Sequence, residues 1–231
     1  MTRIAVLLGA WVGLGASGCV STGMARPVDK GSLQVSISGG AVNVGSLDTR
    51  EELPPYFVSI PQGDLNIRYG LTDRMDVGAR LFPVGGAVDG RFALLRAPSL
   101  QRGIDLTLAP LILYSRHGKG GWGSEPFMQL ELPLLLGVNV RGSQFVFGAK
   151  VGTYFGPEKL QSDSFSPTLG TSLGVAIPIV SWLRIMPEIN VRVRPTGTPT
   201  LPFVFNGGVG LIFGGYAASS QPEAPRVADS P

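Results

Sequence analysis

The residues able to do chemistry are few. His117 is the only histidine and Cys19 the only cysteine. His117 has Ser115 just before it and Gly118, Lys119, Gly120 and Gly121 directly after it. A serine nucleophile needs an imidazole base that is itself oriented by a carboxylate, and no such acid accompanies this pair. One histidine and one cysteine cannot complete a metal site or an intrachain disulfide. The Gly118–Gly121 run lacks the spacing of a phosphate loop, and Glu158 and Asp163 do not make an acid/base pair. The expectation is a protein that is not an enzyme, has no cofactor and no metal, and carries His117 on an exposed loop.

A second set of polar residues is regularly spaced. Asp64, Arg68, Asp76, Arg80, Asp89, Arg91, Asp105, Glu131, Lys150, Arg184, Glu188, Arg192 and Arg194 fall on the polar phase of a period-two pattern. Leu65, Ile67 and Tyr69 interleave with Asp64, Asn66 and Arg68. Leu183, Ile185, Ile189, Val191 and Val193 interleave in the same way with Arg184, Glu188, Asn190, Arg192 and Arg194. Successive side chains of a strand point to opposite faces, so the pattern makes strands with one apolar and one polar face. The set holds six acids against seven bases. Burying an unpaired ion costs several kcal/mol, so near balance predicts a paired charge network filling a confined interior. Arg184, Arg192 and Arg194, on one strand, would favour anions if that interior conducts.

The elements that must position this set run from residue 32 to 214. Strands are expected over 32–44, 56–70, 74–83, 88–96, 103–116, 125–139, 143–155, 165–178, 182–194 and 201–214. Most exceed the ~5–6 residues of an ordinary strand and suit the ~9–11 that cross a bilayer at a tilt. The connections 71–74, 140–143 and 179–181 are tight, and 97–102 falls on their side. The connections 45–55, 84–87, 117–124, 156–164 and 195–200 fall on the other, and most are longer and rich in Gly, Pro, Ser and charge. Short turns at one end, longer loops at the other and an even strand count characterise membrane barrels. Both termini then lie at the tight-turn end. Aromatic residues gather near both ends, with Phe82 and Tyr114 toward the loops and Tyr69, Phe145, Trp182, Phe213 and Tyr216 toward the turns. That distribution predicts two interfacial girdles.

The chain has 231 residues, which suits one domain. Charged residues make up 15%, against roughly 25% in soluble domains. No apolar run beyond residue 19 reaches the ~18 residues a spanning helix needs. The net charge of +3 is spread out, so no nucleic-acid surface is expected. Residues 1–18 read as a secretory signal peptide, with Arg3, the apolar stretch Ile4–Leu14 and then small residues. Ala16-Ser17-Gly18-Cys19 resembles the lipobox of bacterial lipoproteins, which implies acylation of Cys19 by lipoprotein-processing machinery. Ordinary cleavage after Gly18 is the alternative. Val20-Ser21 contain no Asp, so the lipobox resemblance implies outer-membrane sorting. Residues 19–31 are expected to be the lipidated cysteine and a flexible tether, and 215–231 a disordered, Ala/Ser/Pro-rich tail.

The stretch Asp64-Leu-Asn-Ile-Arg-Tyr-Gly-Leu-Thr-Asp-Arg-Met-Asp-Val-Gly-Ala-Arg80 resembles a hairpin common in bacterial outer-membrane β-barrel proteins. Asn206-Gly-Gly208-Val-Gly-Leu211-Ile-Phe213 is similar to the assembly signal of their last strand. The resemblance covers residues 32–214 as a pattern. It implies an outer-membrane location, contact with membrane lipid and barrel-assembly machinery, and periplasmic termini. Barrel-type outer-membrane proteases and lipases use a His with Asp or Ser at the loop end, and none of those motifs is matched. The expected fold is all-β: a single antiparallel up-and-down barrel of about ten strands, within eight to twelve, over residues 32–214. Its expected role is envelope structure or limited small-solute passage. The alternative is a periplasm-facing lipoprotein with a soluble, lipocalin-like ligand-binding barrel. The two differ in which face is apolar, and period two alone does not say. The unbroken face of Leu130, Leu132, Leu134, Leu136 and Val138 and the aromatic bands favour lipid.

Overall fold

The computed structural model describes residues 23–48, 56–83, 85–116, 126–155, 166–195 and 200–216. Among them every regular element is a strand. These are β1 (Leu33–Asp48), β2 (Tyr56–Thr72), β3 (Met75–Phe82), β4 (Gly85–Leu95), β5 (Arg102–Leu108), β6 (Leu111–Arg116), β7 (Pro126–Val140), β8 (Ser143–Phe155), β9 (Ser166–Val180), β10 (Leu183–Val193) and β11 (Thr200–Gly214). All pairings are antiparallel. β11 pairs back onto β1 from Gln34↔Gly214 to Asp48↔Thr200, which closes the sheet into a barrel and leaves no free edge.

The eleven strands make ten staves. β5 and β6 lie end to end between β4 and β7, and each pairs with both. The strand expected over 103–116 is therefore interrupted at Ala109-Pro110. Proline has no N–H to give to a ladder. The gap is patched locally: the Pro110 carbonyl accepts from Gly90 N at 3.1 Å, and Ala109 N donates to the Pro133 carbonyl at 2.9 Å.

One end of the barrel carries the short turns, the start of β1 and the end of β11. Arg141 (φ 51°) and Gly142 (φ 86°) form a two-residue hairpin with both residues left-handed, the type I′ form that matches strand twist. Two connections depart from the expected split. Residues 84–87 are not a loop, because Gly85 already pairs with Phe82 and only 83–84 connect β3 to β4. Conversely, residues 96–101 at the turn end are long and fold inward, burying Ala97 and Leu100.

The faces are now assigned. Leu132, Leu134 and Leu136 are 44%, 41% and 39% exposed, while Gln129, Glu131 and Leu135 between and beside them are buried. Ile67, Tyr69, Ile112, Phe147, Leu169 and Ile189 continue the outer apolar surface around the barrel. The polar phase points into the lumen. A soluble ligand-binding barrel needs the reverse arrangement. At the turn end Trp182 is exposed and stacks on Phe213 with ring centroids 6.2 Å apart, and Tyr114 is exposed toward the loop end.

Closure through β1 and β11 is testable by cross-linking. With Cys19→Ser as background, Ser38→Cys and Gly210→Cys occupy directly paired positions. Mild oxidation of the folded protein is expected to give an intramolecular, reductant-sensitive gel shift. Failure to cross-link would show that these strands are not neighbours.

Candidate functional site: the lumen and its plug

Register explains the first charge group. Asp76 of β3 lies opposite Arg91 of β4, and Arg68 of β2 lies opposite Gly78, two positions along β3. Asp76 accepts from Arg68 Nη2 at 2.6 Å and from Arg91 Nη2 at 2.5 Å, with both Nε atoms within 3.2 Å. Arg68 also pairs with Asp89 of β4 at 2.5 Å. A Cβ at Gly78 would stand 2.7 Å from Arg68 Nη1, so the guanidinium in its present place relies on residue 78 having no side chain.

A second group spans β7, β8 and β10. Arg192 pairs with Glu131, which also accepts from Gln129 Nε2 at 2.5 Å. Lys150 donates to Asn190 Oδ1, and Asn190 Nδ2 donates to Glu188 at 2.7 Å. The remaining expected charges have other surroundings. Asp105 accepts hydrogen bonds from neutral donors, Ala97 N, Asn139 Nδ2 and Gln144 Nε2 at 2.6–2.9 Å, with the Arg26 guanidinium 4.0 Å away. Arg184 donates to the Gly142 carbonyl and lies over the Tyr216 ring, 5.4 Å from its centroid. Arg80 is buried beside Arg68, Arg194 is half-buried just beyond β10, and neither carboxylate oxygen of buried Asp64 has a hydrogen-bond partner among the described residues. Cys19 and His117 lie outside the described residues.

The lumen also holds something the composition did not predict. Residues 20–31 read as a flexible tether, yet 23–28 are all buried inside the barrel. Met24, Ala25 and Val28 have no exposed surface. The segment enters at the turn end, where Asp29 N donates to the Gly215 carbonyl and Gly31 N to the Gly70 carbonyl, and Asp29 pairs with Arg96. Farther in, Val28 N donates to Asp76 Oδ2 at 2.7 Å and Ala25 N to Gln144 Oε1 at 2.8 Å. The Met24 carbonyl accepts from Arg91, and the Arg26 guanidinium donates to the Ala97 carbonyl at 2.9 Å. A buried irregular backbone is tolerable only when its polar groups find partners, and here the barrel supplies partners for at least three N–H groups and two carbonyls. Gly70 makes room: a Cβ there would come 2.2 Å from the Asp29 carbonyl oxygen.

Tyr216 belongs to this arrangement, not to the outer girdle. Its hydroxyl donates to the Arg26 carbonyl at 2.9 Å, so the beginning of the expected tail is tied into the barrel mouth. Residues 217–231 lie outside the described residues. A sequence signal for the plug existed. Leu135, Val146, Ala176, Met186 and Ile212 are apolar residues on the polar phase, and in the barrel they pack around Met24 and Ala25. Apolar side chains inside a watery lumen need a cover. Beyond them toward the loop end is a cavity of about 40 Å³, which shares Ala109 and Leu135 with that cluster.

The fold and lumen define a class: a closed ten-stave barrel with an apolar exterior and a polar interior occupied by its own N-terminal segment. Solved structures with a similar overall shape include the Escherichia coli outer membrane protease OmpT, at 8% identity and a TM-score of 0.47, over 79% of this chain and 96% of that one. Neisserial surface protein A is similar at 11% identity and TM-score 0.37, covering 80% and 99%. The outer membrane protein OprG of Pseudomonas aeruginosa is similar at 15% and 0.33, covering 83% and 99%. No residue role carries over at this level of likeness. No family model and no curated protein sequence matches the chain.

Asp76 joins β2, β3, β4 and the plug, so its removal takes the carboxylate from buried Arg91, one of two carboxylates from Arg68, and the acceptor of one backbone N–H. Asp76→Ala is expected to lower the stability of the folded barrel by about 3–5 kcal/mol, the usual loss when a buried pair loses one partner. The urea midpoint of the heat-modifiable folded band measures it. An unchanged midpoint would remove Asp76 from this role.

Proposed function

We propose that the chain is a non-enzymatic outer-membrane β-barrel whose lumen is stoppered from the periplasmic end by residues 23–30. The carrying observation is the assignment of faces, with Leu132, Leu134 and Leu136 outside and Asp76, Glu131 and Arg192 inside. A continuous apolar exterior on this scale suits a lipid surface and is costly in water. The turn end, where β1 begins and β11 ends, then faces the periplasm. The role that fits is envelope structure, with solute passage confined to states in which the plug has left the lumen. Membrane lipid and barrel-assembly machinery are the partners of this reading, and nucleic acid is not.

Acylation of Cys19 is part of the same proposal and rests on the lipobox resemblance alone. Mass spectrometry of the mature N-terminus decides it, and an unmodified Cys19 ends it.

The membrane reading is tested on Cys19→Ser, so that no lipid anchor can hold the protein. Resistance to carbonate and urea extraction, with a folded gel band that shifts on boiling, is the expected outcome. Complete release into the soluble fraction would overturn it. The stopper is tested separately in planar bilayers. The intact barrel is expected to conduct little, and deletion of residues 23–30 to raise conductance severalfold. Equal conductance of the two proteins rules the stopper out.

A further inference from the structure

We propose that the cavity beyond Met24 binds a small inorganic oxyanion of the phosphate or sulfate class, with Lys150 as its principal partner. The cavity measures about 40 Å³. A water takes about 10–15 Å³ on this measure, so there is room for roughly three waters. That excludes nucleotides, sugars and lipid headgroups, and admits an anion of a few heavy atoms.

The charge of the wall favours an anion. Arg68, Arg80, Arg91, Lys150 and Arg192 line the cavity, against the carboxylates of Asp89 and Glu131. Most of these charges are already engaged. Arg68 serves Asp76 and Asp89, Arg91 serves Asp76, and Arg192 pairs with Glu131. Lys150 differs. It is 8% exposed, and its one described hydrogen bond goes to a neutral amide oxygen, that of Asn190. Glu131 is taken by Arg192 and Gln129, and Glu188 receives Asn190 Nδ2. An ammonium has three protons to donate; Glu131 and Glu188 are near Lys150 but are held by other donors, and its one described hydrogen bond leaves donor capacity to spare. Lys150 lines both this cavity and a smaller neighbouring one beside Asn190 and Asn206. An oxyanion in the larger space would accept from Lys150 with Arg80 and Arg192 alongside, in charge-assisted bonds.

The proposal rests on the closed lumen and not on membrane placement, and binding is read in detergent, so a failed extraction test leaves it standing. Purified full-length barrel in micelles, in low-chloride buffer, is titrated calorimetrically with sodium phosphate and then with sodium sulfate. Saturable one-site binding is expected. Lys150→Met should weaken it by roughly tenfold or more, the scale of one lost charge-assisted contact. Asn206→Asp keeps the side-chain size and places a carboxylate in the smaller cavity that Lys150 also lines, so it should weaken binding similarly. If Lys150→Met does not fold, the Asn206→Asp result decides alone. No saturable heat with either anion overturns the proposal, as does equal affinity across the folded proteins.

Discussion

The arrangement turns on Asp76. One carboxylate on β3 gathers Arg68 from β2 and Arg91 from β4, and its Oδ2 also takes the backbone N–H of Val28. Barrel wall and plug are thereby fastened to the same atom. A carboxylate inside a lumen is tolerable only with such partners, and a guanidinium needs the carboxylate equally. Each polar residue of this layer is therefore placed by the others. Gly78 shows how tightly: one added carbon would displace the Arg68 guanidinium.

The remainder of the interior follows from a problem of filling. Ten staves enclose more space than their inward side chains occupy near the turn end, where the wall is lined by Leu135, Val146, Ala176, Met186 and Ile212. Water there would face apolar groups. Met24 and Ala25 cover them, and the backbone that delivers these two residues is satisfied by Gln144, Asp76, Arg91 and Tyr216. The plug is thus held between apolar residues of β7 to β11 and the Asp76 charge group of β2 to β4. The described outward face is mostly apolar, so the protein inverts the usual order of a water-soluble domain.

Much of this was legible in the residues. Period two gave the staves, because strand geometry leaves alternate side chains nowhere else to point, and most expected spans fall within a few residues of those found. The exceptions have local causes. Pro110 breaks a ladder that hydrophobic alternation alone would carry through, and Gly85 and Gly86 continue β4 where glycines read as loop. The charges on the polar phase were found, but their partners were not, since pairing depends on register and stagger that no single strand records. Period two also left inside and outside undecided, and only the closed sheet settles that. The plug escaped notice because Gly23, Pro27 and Gly31 have the composition of a linker. Its trace lay elsewhere, in the apolar residues of β7 to β11 that sit on the wrong phase. On any one strand such a residue is a single break in the alternation, whereas together they describe a surface awaiting a cover.

The plug also fixes an order of events. Ala25 meets Gln144 across 119 positions of sequence, and Arg26 meets Tyr216 across 190. Contacts so distant along the chain form late, because the intervening loop must first be ordered. Residues 23–30 are made before any strand, yet part of their seat comes with the last one. Until β11 has joined β1 there is no Gly215 carbonyl in place for Asp29 and no Tyr216 hydroxyl for Arg26. The contacts with Asp76 and Arg91 need only β3 and β4, so the plug is fastened first at the wall and then, with the final strand, at the mouth.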